Sequence, residues 1–465
     1  MTKLVVVGGN AAGMSAASKA KRRAPELEVE VLEAGHDISY SACGIPHLVS
    51  GAVEKPNQLL VLSEEEAGER GMKVRTKTRA VSFNPYTKEV AYNGPEGRDA
   101  LHYDKLVLAM GCEPRNPFEG KELAGVFTIR HVGDGVRLLR HLNASDTRRV
   151  AVIGGGYVGL EMASAFQDLE AEVHVLQRGP RLLSSMDADM TDGLEEWLAE
   201  EGINVHLNAD VKGFRPGGTT VSLDGGDAPV QKVGRVEAKE SLDIDLAVVA
   251  VGVDPATDFA VKAGVQSTKT GHILVDDGMR TNFHDVWAAG DCVAARHLVT
   301  GRPTPMPLAL PSNRMGKVAG DNVAASLSKV PAGAMLFPGV LGTAITRVRG
   351  LCFAQTGITQ TQAKEEGIDC QAVLIESKSK AAYMPGAEDM AVKLVAETGS
   401  GKLLGAQLAG PEDSGLRINA AAVALQAGLT AKKLAEVETG YAPPFSPVYD
   451  PFIVAAAELA KLVKR

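Results

Sequence analysis

The stretch KLVVVGGNAAGMSAASKAKRR, Lys3 to Arg23, runs from an apolar segment through a glycine turn into a tract of small residues. An unbroken apolar run suits a strand buried on both faces, and a helix is expected after the glycines. About 20 residues after the glycine turn, EVEVLEAG (Glu28 to Gly35) predicts a second strand and closes a βαβ unit. The same plan recurs in RRVAVIGGGYVGLEMASAFQDL, Arg148 to Leu169, followed by AEVHVLQRG, Ala171 to Gly179. Two nucleotide-binding units are therefore expected.

A second repeated pair marks the far end of each unit. YDKLVLAMGCEP and IDLAVVAVGVDP both place an apolar strand before a glycine, Gly111 and Gly252, and a proline. The first unit resumes at TNFHDVWAAGDCVAA, Thr281 to Ala295, so the second is inserted within it. From about Gly333 the alternating segments QAVLIES, MAVKLVAE and LLGAQLAG precede an alanine-rich tract, Leu416 to Ala427. The expected fold is α/β: two Rossmann-like dinucleotide-binding domains and a C-terminal α+β domain. The expected boundaries are 1–112 and 254–330 for the split first domain, 113–253 for the insert and 331–465 for the third.

Composition narrows the function classes. A chain of 465 residues exceeds one hydrophobic core, and 50 glycines suit the tight turns of α/β enzymes. The net charge of −8 argues against nucleic acid and anionic membranes as partners. No stretch approaches the roughly 20 apolar residues that span a bilayer, and the run at Leu4 to Val7 is too short for a signal peptide. Five cysteines, Cys43, Cys112, Cys292, Cys352 and Cys370, show no C-x-x-C spacing, so neither a metal site nor a dithiol is expected. A soluble cytoplasmic protein is the expectation.

Each glycine loop has a chemical use. Gly8, Gly9 and Gly13 let the backbone approach a pyrophosphate at a helix N-terminus, and Glu33 ends the next strand where it can accept both hydroxyls of an adenine ribose. Asn10 takes the place of the usual second glycine. The second loop, Gly154, Gly156 and Gly159, fits G-x-G-x-x-G in full, yet its second strand ends in Gln177 and Arg178 instead of an acid. A missing carboxylate and a nearby arginine favour a 2′-phosphate, hence NADPH over NADH; Arg178 also suits a solvated surface. Asp291, after Ala-Ala-Gly290, is placed to bind a ribityl or pyrophosphate group. FAD plus NAD(P)H accounts for all three features.

These residues carry a resemblance. GGNAAG, Glu33, GGGYVG, AAGDC and the tail YAPPFSPVYDPF resemble the flavin disulfide reductases, and SYSACGIP resembles their single-cysteine branch, the coenzyme A disulfide reductase family of class III pyridine nucleotide-disulfide oxidoreductases. The resemblance spans essentially the whole chain. It implies FAD held also by Ala11, Ala12, Val81, Ala109, Gly111, Gly290 and Tyr441, and NAD(P)H held also by Tyr157, Val158 and Gly252. It implies a homodimer, and coenzyme A or a related thiol or persulfide as substrate, met by Ser15, Lys19, Arg22, Ser39 and Asn313. Lys19, Arg22 and Arg23 at helical spacing equally suit a basic solvated face. Ala42 and Tyr449 stand where some members carry polar or basic residues.

The dithiol branch has two nearby cysteines, whereas here only Cys43 is present, so the second sulfur must come from outside. Cys43 is expected to open a helix, whose N-terminus would favour thiolate. Tyr383 and Tyr441 resemble the family's active-site pair and can donate a proton to a departing thiolate; packing at a dimer contact is the rival for Tyr383. Asn10 lacks a proton to exchange near neutral pH, which disfavours peroxidase chemistry. The resulting expectation is an NAD(P)H-dependent reductase of coenzyme A disulfide, persulfide or polysulfide. A water-forming NADH oxidase is the alternative, and a flavin-containing redox sensor is the alternative from another class.

Overall fold

The computed structural model describes residues 2–221, 230–327 and 334–463. The expected boundary at 330/331 lies outside them. Lys3–Val7 forms the middle strand of a five-stranded parallel sheet, flanked by Glu28–Leu32 and Met72–Arg75 on one side and by Lys105–Leu108 and Val286–Ala288 on the other. Arg149–Ile153 holds the same place in a second parallel sheet, between Glu172–Leu176 with Ile203–His206 and Leu246–Val249 with Val126–Thr128. Every residue from Leu4 to Val7 and from Val150 to Ile153 is buried, which is why these strands carry no polar alternation.

The two sheets share more than strand order. Gly8 and Gly154 both turn at positive φ, 103° and 113°, a region open to glycine. A Cβ on Gly13 or Gly159 would lie 1.7 or 1.9 Å from the carbonyl oxygen of Gly8 or Gly154. Each helix, Ala11–Arg23 and Tyr157–Asp168, can therefore start directly against its loop. A two-stranded antiparallel ribbon, Cys112–Pro114 with Val253–Pro255, carries the chain out of the first unit and back, and the expected boundaries at 112/113 and 253/254 fall in it.

The long helix Ala309–Ala325 returns to pack on Ala11–Arg23. Gly316 and Gly320 permit this approach, because a Cβ on either would strike the carbonyl oxygen of Ala12 or Ala16 at 2.2 or 2.1 Å. The third unit is a five-stranded antiparallel sheet in which the three alternating segments form Cys370–Lys378, Asp389–Glu397 and Leu403–Pro411. The alanine-rich tract begins as a 3-10 turn, and its α-helix runs only over Ile418–Gln426.

A buried polar cluster joins the second and third units. Asp187 accepts hydrogen bonds from the Gln360 and Thr361 amides at 3.0 Å, and from the Thr361 hydroxyl and Gln407 amide at 2.7 Å. Lys393 Nζ lies 3.2 Å from Asp187 and 2.7 Å from Asp189. These donors hold the Asp187 carboxyl far below its ordinary value against the opposing effect of burial.

Candidate functional site

The loop carrying Cys43 is tied to the first glycine turn by its backbone. Ser39, at φ 46°, donates its N–H to Gly9 O at 2.9 Å, and Tyr40 donates its N–H to Asn10 Oδ1 at 3.1 Å. Asn10 thus spends its side chain positioning the cysteine loop. Ser41 N–H bonds Leu59 O at 2.8 Å. Ala42–Gly44 forms a 3-10 turn, then Ile45–Val49 a short helix. Ile45, Leu48 and Val49 are buried in the core of the second unit, each contributing about 1.5–3 kcal/mol. Cys43 consequently sits where the two units meet.

Cys43 is an exposed residue, yet its thiol is partly desolvated and its electrostatics differ from the expectation. Cys43 is the middle residue of a 3-10 turn and does not open an α-helix, and desolvation by the surrounding protein pushes its thiol up. The Glu161 carboxylate, on Tyr157–Asp168, adds to the rise, while Arg130 opposes it. A five-residue helix capped by Gly44 does not overcome these effects, so the thiol is shifted upward where the sequence reading expected a downward shift. Glu161 is itself raised by burial and accepts a hydrogen bond from Thr346 Oγ1 at 2.9 Å.

The first cleft is lined by Gly8, Ala11, Ala12, Glu33, Ala109, Gly111, Gly290 and Asp291. Gly9, Gly13 and Val81 are not in its wall; Thr78, Arg79 and Ala80 stand there just before Val81. Glu33 accepts the N–H groups of Gly9 and Gly35, both at 2.6 Å, and so shapes the loop. Asp291 pairs with Arg130 and accepts the Ser312 hydroxyl at 2.6 Å. Gly154, Gly156, Tyr157, Val158, Gln177, Arg178 and Gly252 line a second cleft, of about 730 Å³, and Gly159 is not in its wall. Gln177 Oε1 accepts the Gly155 N–H at 3.0 Å, the bond that Glu33 makes in the first unit. The amide keeps the loop's hydrogen bond and removes the charge.

The remaining candidates separate. Ser15 donates to Asn313 Oδ1 at 2.8 Å across the packed helices. Lys19 lies 3.2 Å from the buried Asp321, and Arg23 pairs with the same carboxylate, so both are interhelix ties and not open phosphate ligands; Arg22 is exposed. The neighbouring Tyr383 phenol raises the Tyr441 phenol. Both are exposed on the third unit, Tyr383 at 74% and Tyr441 at 46%, and neither lines the first cleft. Cys112 and Cys292 are buried with thiols pushed up to about 12, Cys352 is buried, and Cys370 is half-buried. Sequence reading missed Arg130, His131 and Ser312, which follow no motif, and Glu161, an acid in an otherwise small and apolar helix.

Two glycine-loop clefts on parallel sheets, with one exposed thiol between the units, define a two-dinucleotide thiol oxidoreductase. The pyridine nucleotide-disulphide oxidoreductase family matches residues 2–313, and its dimerisation domain matches residues 344–451. The chain belongs to this family of FAD- and NAD(P)H-dependent enzymes. It is 36% identical over 460 residues to the NAD(P)H coenzyme A polysulfide/persulfide reductase of Pyrococcus horikoshii, covering 98% of each chain. It is 30% identical over 470 residues to an NADH oxidase of Methanocaldococcus jannaschii, covering 99% of each. The structure of an NAD-dependent persulfide reductase from A. fulgidus superposes with a TM-score of 0.90 at 34% identity, over 99% of this chain and 83% of that one. No helix among the described residues is long and apolar enough to cross a membrane.

Proposed function

We propose that this chain reduces coenzyme A disulfide, coenzyme A persulfide or polysulfide with NAD(P)H, through FAD and the single thiol of Cys43. The observation that carries the reading is the exposed Cys43 on a loop bonded to the first glycine turn and packed into the second unit. Bound FAD would take hydride from NAD(P)H and return an electron pair to sulfur. Gly8 to Gly13, Glu33 and Asp291 hold the first dinucleotide, and Gly154 to Gly159, Gln177 and Arg178 hold the second. The Cys43 thiolate attacks one sulfur of the substrate S–S bond and expels the other fragment as a thiolate, leaving a mixed disulfide or persulfide on Cys43; its two-electron reduction would regenerate Cys43 and release the second sulfur as a thiolate that Tyr441 protonates, with Tyr383 orienting it.

The domain division follows the ribbon at 112/113 and 253/254, with the dimerisation domain after it. A homodimer would bring the exposed Tyr383 and Tyr441 of one subunit to the cleft of its partner, and the exposed Leu416, Phe445, Val448 and Tyr449 suit such an interface. Ser15, Asn313, Ser39 and Arg22 form the coenzyme A side, Lys19 acting by its tie to Asp321. A reducing cytoplasm suits the five free cysteines. The relative named as an NADH oxidase supports a second reading, oxygen reduction to water. Comparing turnover on coenzyme A disulfide, coenzyme A persulfide, polysulfide and oxygen tests the choice: oxygen as the fastest acceptor would overturn the sulfur reading.

A further inference from the structure

Three titratable side chains outside the expected site stand in one chain along the wall of the first cleft. Tyr40 Oη lies 2.6 Å from His131 Nδ1, and His131 Nε2 lies 3.5 Å from Glu113 Oε2. All three line the same cavity as Glu33 and Asp291. The rings of Tyr40 and His131 meet edge to face, with centroids 6.2 Å apart. The three come from separate elements: the cysteine loop, the residue before helix Val132–Ala144, and the ribbon strand Cys112–Pro114. We propose that His131 is a positioning residue for Tyr40, its protonation state deciding whether the Tyr40 hydroxyl donates to the imidazole or into the dinucleotide cleft.

The argument is one of donor and acceptor counts. A neutral imidazole that directs Nε2–H at Glu113 leaves Nδ1 as an acceptor, so Tyr40 must spend its only O–H on it. A protonated imidazole donates from both nitrogens; Tyr40 then accepts from Nδ1–H, and its own proton turns elsewhere. Tyr40 lines the cleft, where a bound dinucleotide would supply oxygen acceptors, if the cleft holds FAD as proposed above.

Charged groups on several elements face His131. The hydrogen bond to Glu113 raises the His131 pKa, against desolvation; Asp134, on the helix that follows, and Glu33, on the first sheet, add to the rise. Arg79 lies 3.7 Å from Glu113 and Arg130 precedes His131; both oppose it, as does the N-terminus of the helix that His131 caps. Tyr40 itself is held well above the ordinary phenol value by burial and then Glu33, so it stays protonated and acts only by the direction of its O–H.

The test is FAD release from the diluted holoenzyme, read by flavin fluorescence between about pH 6 and about pH 8.5, a window spanning imidazole titration. Wild type should hold FAD about fivefold more tightly at the acid end, the size of one modest hydrogen bond. His131→Gln and Tyr40→Phe should each remove that dependence and resemble wild type at the alkaline end. Full pH dependence retained in Tyr40→Phe would show that the imidazole charge acts without the tyrosine and would overturn the proposal, as would a pH-independent wild type. Failure of wild type to hold FAD at any pH would overturn the assignment of the cleft as well.

Discussion

Lys393→Met removes the cation from the cluster that joins the second and third units. Both charged side chains there are 4% exposed, so after the substitution Asp187 must keep its carboxylate without a counter-charge. Breaking a buried pair by removing one partner costs about 3–5 kcal/mol. The four hydrogen bonds that Asp187 accepts from Gln360, Thr361 and Gln407 remain and place the expected loss near the lower end, about 3 kcal/mol. In thermal unfolding of the holoenzyme this corresponds to a fall in Tm on the order of 5 °C. Asp189→Asn is the control, since Asp189 is 45% exposed and its pair should contribute less than about 1 kcal/mol. The sign with pH also follows. The folded Asp187 pKa is depressed, so its contribution is complete above the unfolded value of about 3.9 and is lost as pH falls toward the folded one. Lys393→Met starts from a lower stability, so it should unfold at a higher pH during acid titration. If Lys393→Met lowered Tm no more than Asp189→Asn, the cluster would not be holding the units together.

Three further outcomes are expected. Arg178 is exposed in the second cleft beside the uncharged Gln177, so wild type should use NADPH at least as well as NADH, and Arg178→Ala should lower the NADPH to NADH ratio of kcat/KM about tenfold; an NADH preference unmoved by the substitution would refute this. Mixing nearly inactive Cys43→Ser and Tyr441→Phe dimers should restore activity as subunits exchange, because each mixed dimer holds one intact site, and no recovery despite proven exchange would count against shared sites. Glu161→Gln removes a charge that raises the Cys43 thiol while keeping an acceptor for Thr346, so the pH profile of alkylation of the reduced protein should move to lower pH; an unmoved profile would exclude Glu161 as a cause.

Much of the architecture was legible because it is written in local pattern. Doubly buried strands need unbroken apolar runs, the two glycine turns need glycine for steric reasons, and three of the third unit's five strands show in the spacing of their apolar residues. What escaped depends on partners distant in the chain. Lys19 looked like an open cation because Asp321 lies 302 residues further on, in a helix whose approach depends on Gly316 and Gly320. Cys43 could be placed after the Glu33 strand, but its electrostatics come from Glu161 and Arg130, brought in by packing of the second unit. The tyrosine pair was recognisable by resemblance, yet within one chain both tyrosines are exposed on the third unit and neither lines the first cleft. The Tyr40, His131 and Glu113 chain follows no motif and exists only in the folded cleft.

The central claim is that Cys43 carries electrons to an external sulfur substrate, and Cys43→Ser tests it most directly because serine keeps the shape but forms no disulfide. Stopped-flow measurement of the FAD-loaded variant should show flavin reduction by NAD(P)H at near wild-type rate, while steady-state reduction of coenzyme A disulfide or polysulfide falls by about 10³-fold or more, the scale of losing a covalent nucleophile. Retention of most sulfur-substrate turnover by Cys43→Ser would contradict the account.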